Sequence, residues 1–434
     1  MKLSKKDILA LGLMHFALFV GAGNIIFPPL IGYSYSNSII LSSIGFILTG
    51  VGLPILGTIA ICKFNGSIDL LSRSAGKILS TLIIVTTYLC IGPLFATPRT
   101  ATVSFEIGIY PFIHDESSLI YFSFIYFSLV GYLSLHPSSL LDMVGKFLTP
   151  IKITALAILI LGAFYLVPKS SELEPVTHTQ SPFLFGLTNG YLTMDTLAAF
   201  AFSFVIINAI KYKGVSNNKD LMKYTSISGL IAGLLMCLLY IGLIYVGSVS
   251  SVAVESANNG ADILVSIVNY CFGLTGNVLL AIVITLACFI TSVGLVCSSG
   301  SYFSALLGIK YKTSVIAITL ISMFISNVGL SNLISISVPA LKTIYPSFII
   351  LVFNAFIPKW TRPFIKNILL LSLAFGFIDA FISPVFISSY FPLYTNFPFY
   401  DEGLVWVIPC LVYFITLMLI HKVPELYVFS KKKG

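Results

Sequence analysis

The sequence predicts an all-α polytopic membrane protein of about 12 transmembrane helices, arranged as an inverted five-plus-five repeat in which helices 1 and 6 are discontinuous. Three observations carry this. The 434 residues are 57% hydrophobic and only 9% charged, with a mean hydropathy of +1.00, whereas a soluble domain holds roughly 25% charged residues. Twelve apolar runs reach the roughly 20 residues that cross a hydrocarbon core of about 30 Å. The first and the sixth of these runs are interrupted by residues that weaken a helix.

The runs lie near 8–33, 39–62, 78–105, 117–136, 146–167 and 183–209, then 222–249, 276–304, 313–330, 332–357, 364–389 and 403–421. With the N-terminus in the cytoplasm, Lys5, Lys63, Arg73, Lys77, Lys152, Lys211, Lys223, Lys310, Arg362, Lys366 and Lys422 all fall on the cytoplasmic side. Only Lys169 falls in an opposite loop, where Asp115, Glu116, Glu172, Glu174, Glu255, Asp262, Asp401 and Glu402 lie. That asymmetry is the positive-inside bias, so both termini are placed in the cytoplasm and the net charge of +8 needs no nucleic acid to explain it. The basic start precedes a run too long for a signal peptide, and no small-residue cleavage site follows. Seven cysteines without C-x-x-C spacing indicate neither a disulfide framework nor a zinc site. The longest outer connection, 168–182, is too short to fold alone, so residues 1–434 form one membrane domain.

The first run contains Gly21-Ala22-Gly23-Asn24-Ile25-Ile26-Phe27-Pro28-Pro29. Glycine and asparagine lower helix propensity and the prolines withhold two donors, which leaves backbone groups without partners at membrane depth. In hydrocarbon such groups cost several kcal/mol unless protein, ligand or ion satisfies them, so the break marks a binding site. Amides of Ala22, Gly23 and Asn24 suit a carboxylate, and carbonyls around Ala17 and Val20 suit a small hard cation such as Na⁺. Close packing of another helix on Gly21 and Gly23 is the competing explanation, and it leaves Asn24 and the prolines unexplained.

The sixth run is broken at Thr188-Asn189-Gly190-Tyr191-Leu192-Thr193-Met194-Asp195-Thr196. If helices 1–5 and 6–10 are two copies of one unit, the odd count inverts them and brings the breaks together, with repeats near 8–167 and 183–357 and accessory helices near 364–421. A carboxylate within a span costs about 2.5–3.5 kcal/mol by insertion scales, so Asp195 needs a partner. It either binds a substrate ammonium, tunes a cation site, gates by protonation, or caps the second half of helix 6. Helix 3 carries Arg99 and Glu106 on one face, about 10.5 Å apart along the axis. Each therefore reaches a different helix, Arg99 toward a buried carboxylate such as Asp195, in a structural or a gating role. In helix 8, the carbonyl of Cys288 and the hydroxyls of Thr291 and Ser292 supply oxygens for a monovalent ion, although such hydroxyls commonly bond back to their own helix. Lys342 and Asp379 are potential partners for each other, and 258–272 has the spacing of a short outer helix, a lid or a surface element.

The stretches ALFVGAGNIIFPP at 17–29, GPLFATPRTATVSFEIG at 92–108, NGYLTMDTLAAFAF at 189–202, SNVGLS at 326–331 and SISVPALKTIYP at 335–346 resemble the bacterial branched-chain amino acid:cation symporter family of the amino acid–polyamine–organocation group. The likeness covers essentially the whole chain. It implies a sodium-symporter-like fold, a bacterial cytoplasmic (inner) membrane location, and uptake of leucine, isoleucine and valine with Na⁺ or H⁺ by alternating access. By that resemblance Ala22, Gly23 and Asn24 would bind the substrate carboxylate, residues Gly190, Tyr191 and Thr193 would complete the pocket with Asp195, and Ala17, Val20, Cys288, Thr291 and Ser292 would hold the cation. No cofactor is implied beyond the coupling ion. The runner-up is a proton-coupled amino acid transporter with Asp195 as the titrating group. An enzyme is disfavoured, because His15, His114, His136, His178 and His421 are scattered with no H-E-x-x-H spacing. A channel would not need its ion and substrate sites to be coupled.

Overall fold

The computed structural model describes residues 3–136, 149–167, 180–254, 256–382, 387, 390 and 392–431, the side chains of Lys359 and of 421–431 aside. Residues 146–148 of the fifth run, Lys169, Glu172, Glu174 and His178 of the 168–182 connection, and Glu255 lie outside the described residues.

Each apolar run becomes a helix or a broken helix. The first gives α1 (Lys5–Phe19) and α2 (Gly23–Ser34), and the second gives α3 (Ile39–Ile47) and α4 (Leu53–Lys63) joined through a π turn. The third gives α5 (Lys77–Leu89) and α6 (Ala96–Gly108) around a second π turn. Then come α7 (Leu119–Ser134), α8 (Thr149–Leu166), the pair α9 (Pro182–Leu192) and α10 (Asp195–Tyr212), and α11 (Asn218–Ser248). The last are α12 (Gly260–Leu307), α13 (Tyr311–Ser326), α14 (Leu330–Asn354), α15 (Ile365–Phe381) and α16 (Val407–Lys431). Among the described residues nine helices are long and apolar enough to span a membrane, and α1 with α2 make a tenth, bent by 71°. The two shorter apolar helices, Tyr311–Ser326 and Val407–Ile420, stand where the ninth and twelfth runs were expected.

The chain divides into two compact units, Met1–Ile68 with Ile84–Ser337, and Asp69–Ile83 with Val338–Gly434. The first holds both broken helices. Its helices meet through glycine, as expected where lipid offers no hydrophobic drive to association and packing must supply it. A Cβ on Gly247 of α11 would stand 1.9 Å from the Pro29 carbonyl oxygen of α2, and one on Gly32 would stand 1.8 Å from that of Ile244. The same device joins α3 and α9, where Gly45 and Gly186 each abut a backbone oxygen at 2.0 Å from the missing Cβ. Of the half-helices that meet at the two breaks, α2 and α9 are thus held from outside by close-packed neighbours.

One expectation is corrected and another refined. The 258–272 segment is helical, capped by Asn259, but Ala261, Leu264, Ile267 and Val268 are buried, so it is not a surface helix. It runs into the eighth span through Gly273, whose φ of +61° and ψ of −152° break the helix. In the second unit Asp379 accepts from the Tyr394 hydroxyl at 2.5 Å and the Val405 N–H at 3.3 Å, and Lys342, though not in direct ion-pair contact, lies near enough for the two charges to interact. The Tyr394 hydroxyl and the Val405 amide arrive from the segment after α15, where no charge or motif points to Asp379.

Backbone contact at Gly247 predicts that Gly247→Ala costs about 1–3 kcal/mol of stability by overpacking. Gly50→Ala, whose Cβ would meet only the Phe46 ring at 3.4 Å, should be far milder. Thermal unfolding in detergent followed by size-exclusion chromatography checks the order.

Candidate functional site

The last backbone bond of α1 runs from Val20 N–H to Phe16 O at 3.0 Å. Gly21 N–H then turns away to the Asn24 side-chain oxygen at 3.1 Å, so the Ala17 carbonyl loses the donor that a continuing helix would give it. Ile25 and Ile26 N–H both return to Ala22 O. The amides of Ala22, Gly23 and Asn24 therefore precede the ladder of α2, and no side chain caps them. Pro28 and Pro29 lie inside α2 and withhold the donors that Asn24 and Ile25 carbonyls would otherwise accept.

The second break faces the first. Met194 takes φ of +65° between α9 and α10, turning the chain so that Asp195 opens α10 at its amide end, where the helix dipole favours a carboxylate. Asn24 Nδ2 donates to Asp195 Oδ2 and to the Tyr240 hydroxyl, and the Tyr240 hydroxyl donates to the same Asp195 oxygen at 3.2 Å. Tyr240 comes from α11 with its ring set edge-on against Phe46, centroids 5.2 Å apart. A Cβ on Gly23 would lie 3.0 Å from Thr193 Cα, so glycine lets the two breaks approach.

Arg99 does not take Asp195 as the sequence suggested. Its Nη1 donates to Leu192 O at 2.6 Å and its Nη2 to Ser337 Oγ at 3.0 Å, with the guanidinium 5.3 Å over the Phe27 ring. Leu192 is the last residue of α9, so the cation sits on the negative end of that helix, while Asp195 is served by Asn24 and Tyr240. Glu106, two turns along α6, is half-buried and outside this cluster.

Between the breaks lies a small cavity of about 30 Å³. Gly21, Ala22, Gly23, Asn24, Arg99, Thr193, Asp195 and Thr291 line it. Apolar walls come from Phe19, Met194, Ala198, Phe202 and Leu295, with Phe19 and Phe202 edge to face at 5.9 Å. Ala17, Val20, Gly190, Tyr191, Glu106, Cys288 and Ser292 are not part of the lining. Gly190 instead packs on α3's extension, where a Cβ would stand 2.0 Å from Thr49 Oγ1, and Tyr191 is buried beside it. Thr291 stands against Gly21, whose missing Cβ would be 2.8 Å from its methyl group. Thr291 Oγ1 is buried and completes no hydrogen bond, and the buried Ser292 Oγ faces the Tyr126 hydroxyl.

Sequence reasoning missed three contributors. Tyr240 lies in an unbroken apolar run, Ser337 lies within the 335–346 stretch without a role of its own, and Lys152, near the start of the fifth run, reads as one of the cytoplasmic charges. Lys152 is in fact buried, at 6% exposure, and its Nζ donates to Val20 O at 2.6 Å. The signal available was that a lysine three residues inside an apolar helix has four carbons of reach, enough to bring its charge to a broken neighbour.

With this geometry in place, the comparisons with known proteins are specific. Residues 4–424 match the family of branched-chain amino acid transport proteins. The chain belongs to that family. A branched-chain amino acid transport system 3 carrier protein of Pseudomonas aeruginosa is 44% identical over 413 residues, 94% of each chain. The branched-chain amino acid permease BrnQ of Escherichia coli is 43% identical over 416 residues, 95% of this chain and 94% of that one. Among solved structures, Mhp1, a nucleobase-cation-symport-1 family transporter, matches with a TM-score of 0.58 over 95% of this chain and 91% of its own, at 15% identity. MhsT in complex with L-phenylalanine matches with a TM-score of 0.53 over 84% of this chain and 98% of its own, at 14% identity. The fold is therefore the inverted five-plus-five arrangement with discontinuous first and sixth helices, and the family member is a multi-pass transporter, not an enzyme.

The Asn24 junction predicts non-additivity. Asn24→Ala leaves Asp195 and Tyr240 short of a buried donor, at about 1–3 kcal/mol. Tyr240→Phe in that background should cost clearly less than it does alone, which a double-mutant cycle on unfolding midpoints measures.

Proposed function

We propose that the chain is a secondary active symporter that imports leucine, isoleucine and valine with a cation across a bacterial cytoplasmic membrane, by alternating access and with both termini in the cytoplasm. The observation that carries this reading is the inventory of helix ends at the two breaks. The carbonyl end of α9 holds the Arg99 guanidinium, the carbonyl end of α1 holds the Lys152 ammonium, and α10 begins with Asp195. At α10 the Asp195 N–H reaches Thr193 Oγ1 at 3.4 Å, whereas no side chain caps the amide end of α2. An amino acid carboxylate is the group of right charge and size to meet those amides of Ala22, Gly23 and Asn24. Thr193 lies across from them, and an aliphatic side chain would meet Phe19, Ala198, Phe202 and Leu295. Asp195, at the same cavity, would face the substrate ammonium. The names of the relatives, carriers and permeases of branched-chain amino acids, support the substrate class.

Na⁺ is the first candidate for the ion, with the carbonyls of Ala17, Val20 and Cys288 and the hydroxyls of Thr291 and Ser292 as its oxygens, a neutral set suited to a monovalent ion. No cofactor takes part. One charge moving through 100 mV supplies about 2.3 kcal/mol, enough for roughly a 50-fold gradient of a zwitterion at about 1.4 kcal/mol per tenfold. Proton coupling through Asp195 is the second reading, favoured by a carboxyl group 2% exposed that forms no ion pair among the described residues.

Radiolabelled leucine uptake into proteoliposomes with Na⁺ and H⁺ gradients imposed separately tests both. Uphill leucine accumulation driven by Na⁺, and competed by isoleucine and valine, is expected; equilibration without accumulation under either gradient contradicts the proposal. Under the second reading Asp195→Asn retains leucine exchange and loses proton-driven accumulation, and unchanged uptake in that variant excludes Asp195 as the titrating group.

A further inference from the structure

The carbonyl that the sequence offers to a coupling cation is already in contact with a cation of the chain's own. Lys152 reaches from α8 into the end of α1, with Nζ 2.6 Å from Val20 O and 5.6 Å over the Phe16 ring. An ammonium in hydrocarbon is costly unless dipoles converge on it. Here they do: Val20 closes α1 at ψ of 90°, at the negative end of its dipole, and the ring face below adds a cation–π contact. Cys288 of α12 lies near enough to feel the lysine charge. From the same helix Thr291 stands on Gly21 with its Oγ1 buried and without a hydrogen-bond partner, while Ser292 Oγ faces the Tyr126 hydroxyl. One ligand of the proposed ion site therefore carries a tethered ammonium, and another is unengaged. Two positive charges cannot share one carbonyl end in so apolar a place, since at contact distance and low dielectric they repel strongly.

We propose that the Lys152 ammonium and the coupling cation are mutually exclusive occupants of the carbonyl end of α1, so that lysine holds the place in the ion-free carrier and the ion binds only as the side chain withdraws from Val20 O. This rests on the cation-coupled reading given above. Lysine suits the role because its flexible stem can swing away while its charge keeps the broken helix end satisfied in the meantime.

The test uses the full chain, purified and reconstituted, with the Na⁺ concentration that half-activates leucine uptake as the readout and leucine binding at saturating Na⁺ as the check on folding. Lys152→Met is expected to lower the half-activating Na⁺ at least fivefold, or to create activation where the parent chain has none. Lys152→Arg, which keeps the charge, should not lower it. Should the methionine variant fail to bind leucine, Lys152→Gln, which keeps a neutral donor for Val20 O, is read against the same threshold. A decrease smaller than fivefold, a loss of Na⁺ activation in a variant that still binds leucine, or an equal effect of arginine overturns the proposal. Failure of cation coupling itself would appear elsewhere, as leucine accumulation in the parent chain that no ion gradient drives.

Discussion

The hydrogen bonds of Asn24 join the two interrupted helices, and the geometry of the site depends on them. Its side-chain oxygen takes Gly21 N–H, which pulls the chain out of α1, while its nitrogen reaches Asp195 and Tyr240. One amide group thus terminates a helix, restrains a carboxylate and ties in a third span. In a bilayer this matters more than in water, because a broken helix with unsatisfied ends loses several kcal/mol per group. A residue with a donor and an acceptor on one short stem is what that junction requires, and neither aspartate nor leucine could replace it.

The remaining helix ends follow the same electrostatic logic. Arg99 and Lys152 arrive from different helices, yet each places a buried cation on the carbonyl end of a broken helix. They differ in grip. The guanidinium fork also holds Ser337 and stacks over Phe27, whereas the lysine has a single backbone bond and a ring beneath it. The first arrangement fixes α9 against its neighbours, and the second is the more easily undone. Around both, glycine at 32, 45, 186, 190 and 247 holds the supporting helices at backbone contact, so the breaks sit in a rigid frame.

Much of this was legible in the chain. Gly-Ala-Gly-Asn and Asn-Gly-Tyr-Leu-Thr-Met-Asp inside apolar runs disclose their breaks, because each residue lowers helix propensity where hydropathy demands a helix. The spans were legible for the reason that membranes impose length. What the sequence concealed are contacts made by reach rather than by pattern. Tyr240 hides in a uniformly apolar run, and Lys152 occupies a position that a solvated flanking lysine would also occupy, so its charge was assigned to the wrong environment. Gly190 was visible as part of a break, but whether a glycine serves a ligand or a neighbouring helix depends on what stands opposite, and here that is Thr49.

In the proposed transport cycle the uncapped start of α2 receives the substrate carboxylate. An experimental structure of the full chain with leucine bound tests it most directly. The leucine carboxylate is expected within hydrogen-bond distance of the Ala22, Gly23 and Asn24 amides, with its side chain against Phe202 and Leu295. A carboxylate seated on Arg99 instead, or leucine bound outside the space between the two breaks, would contradict it.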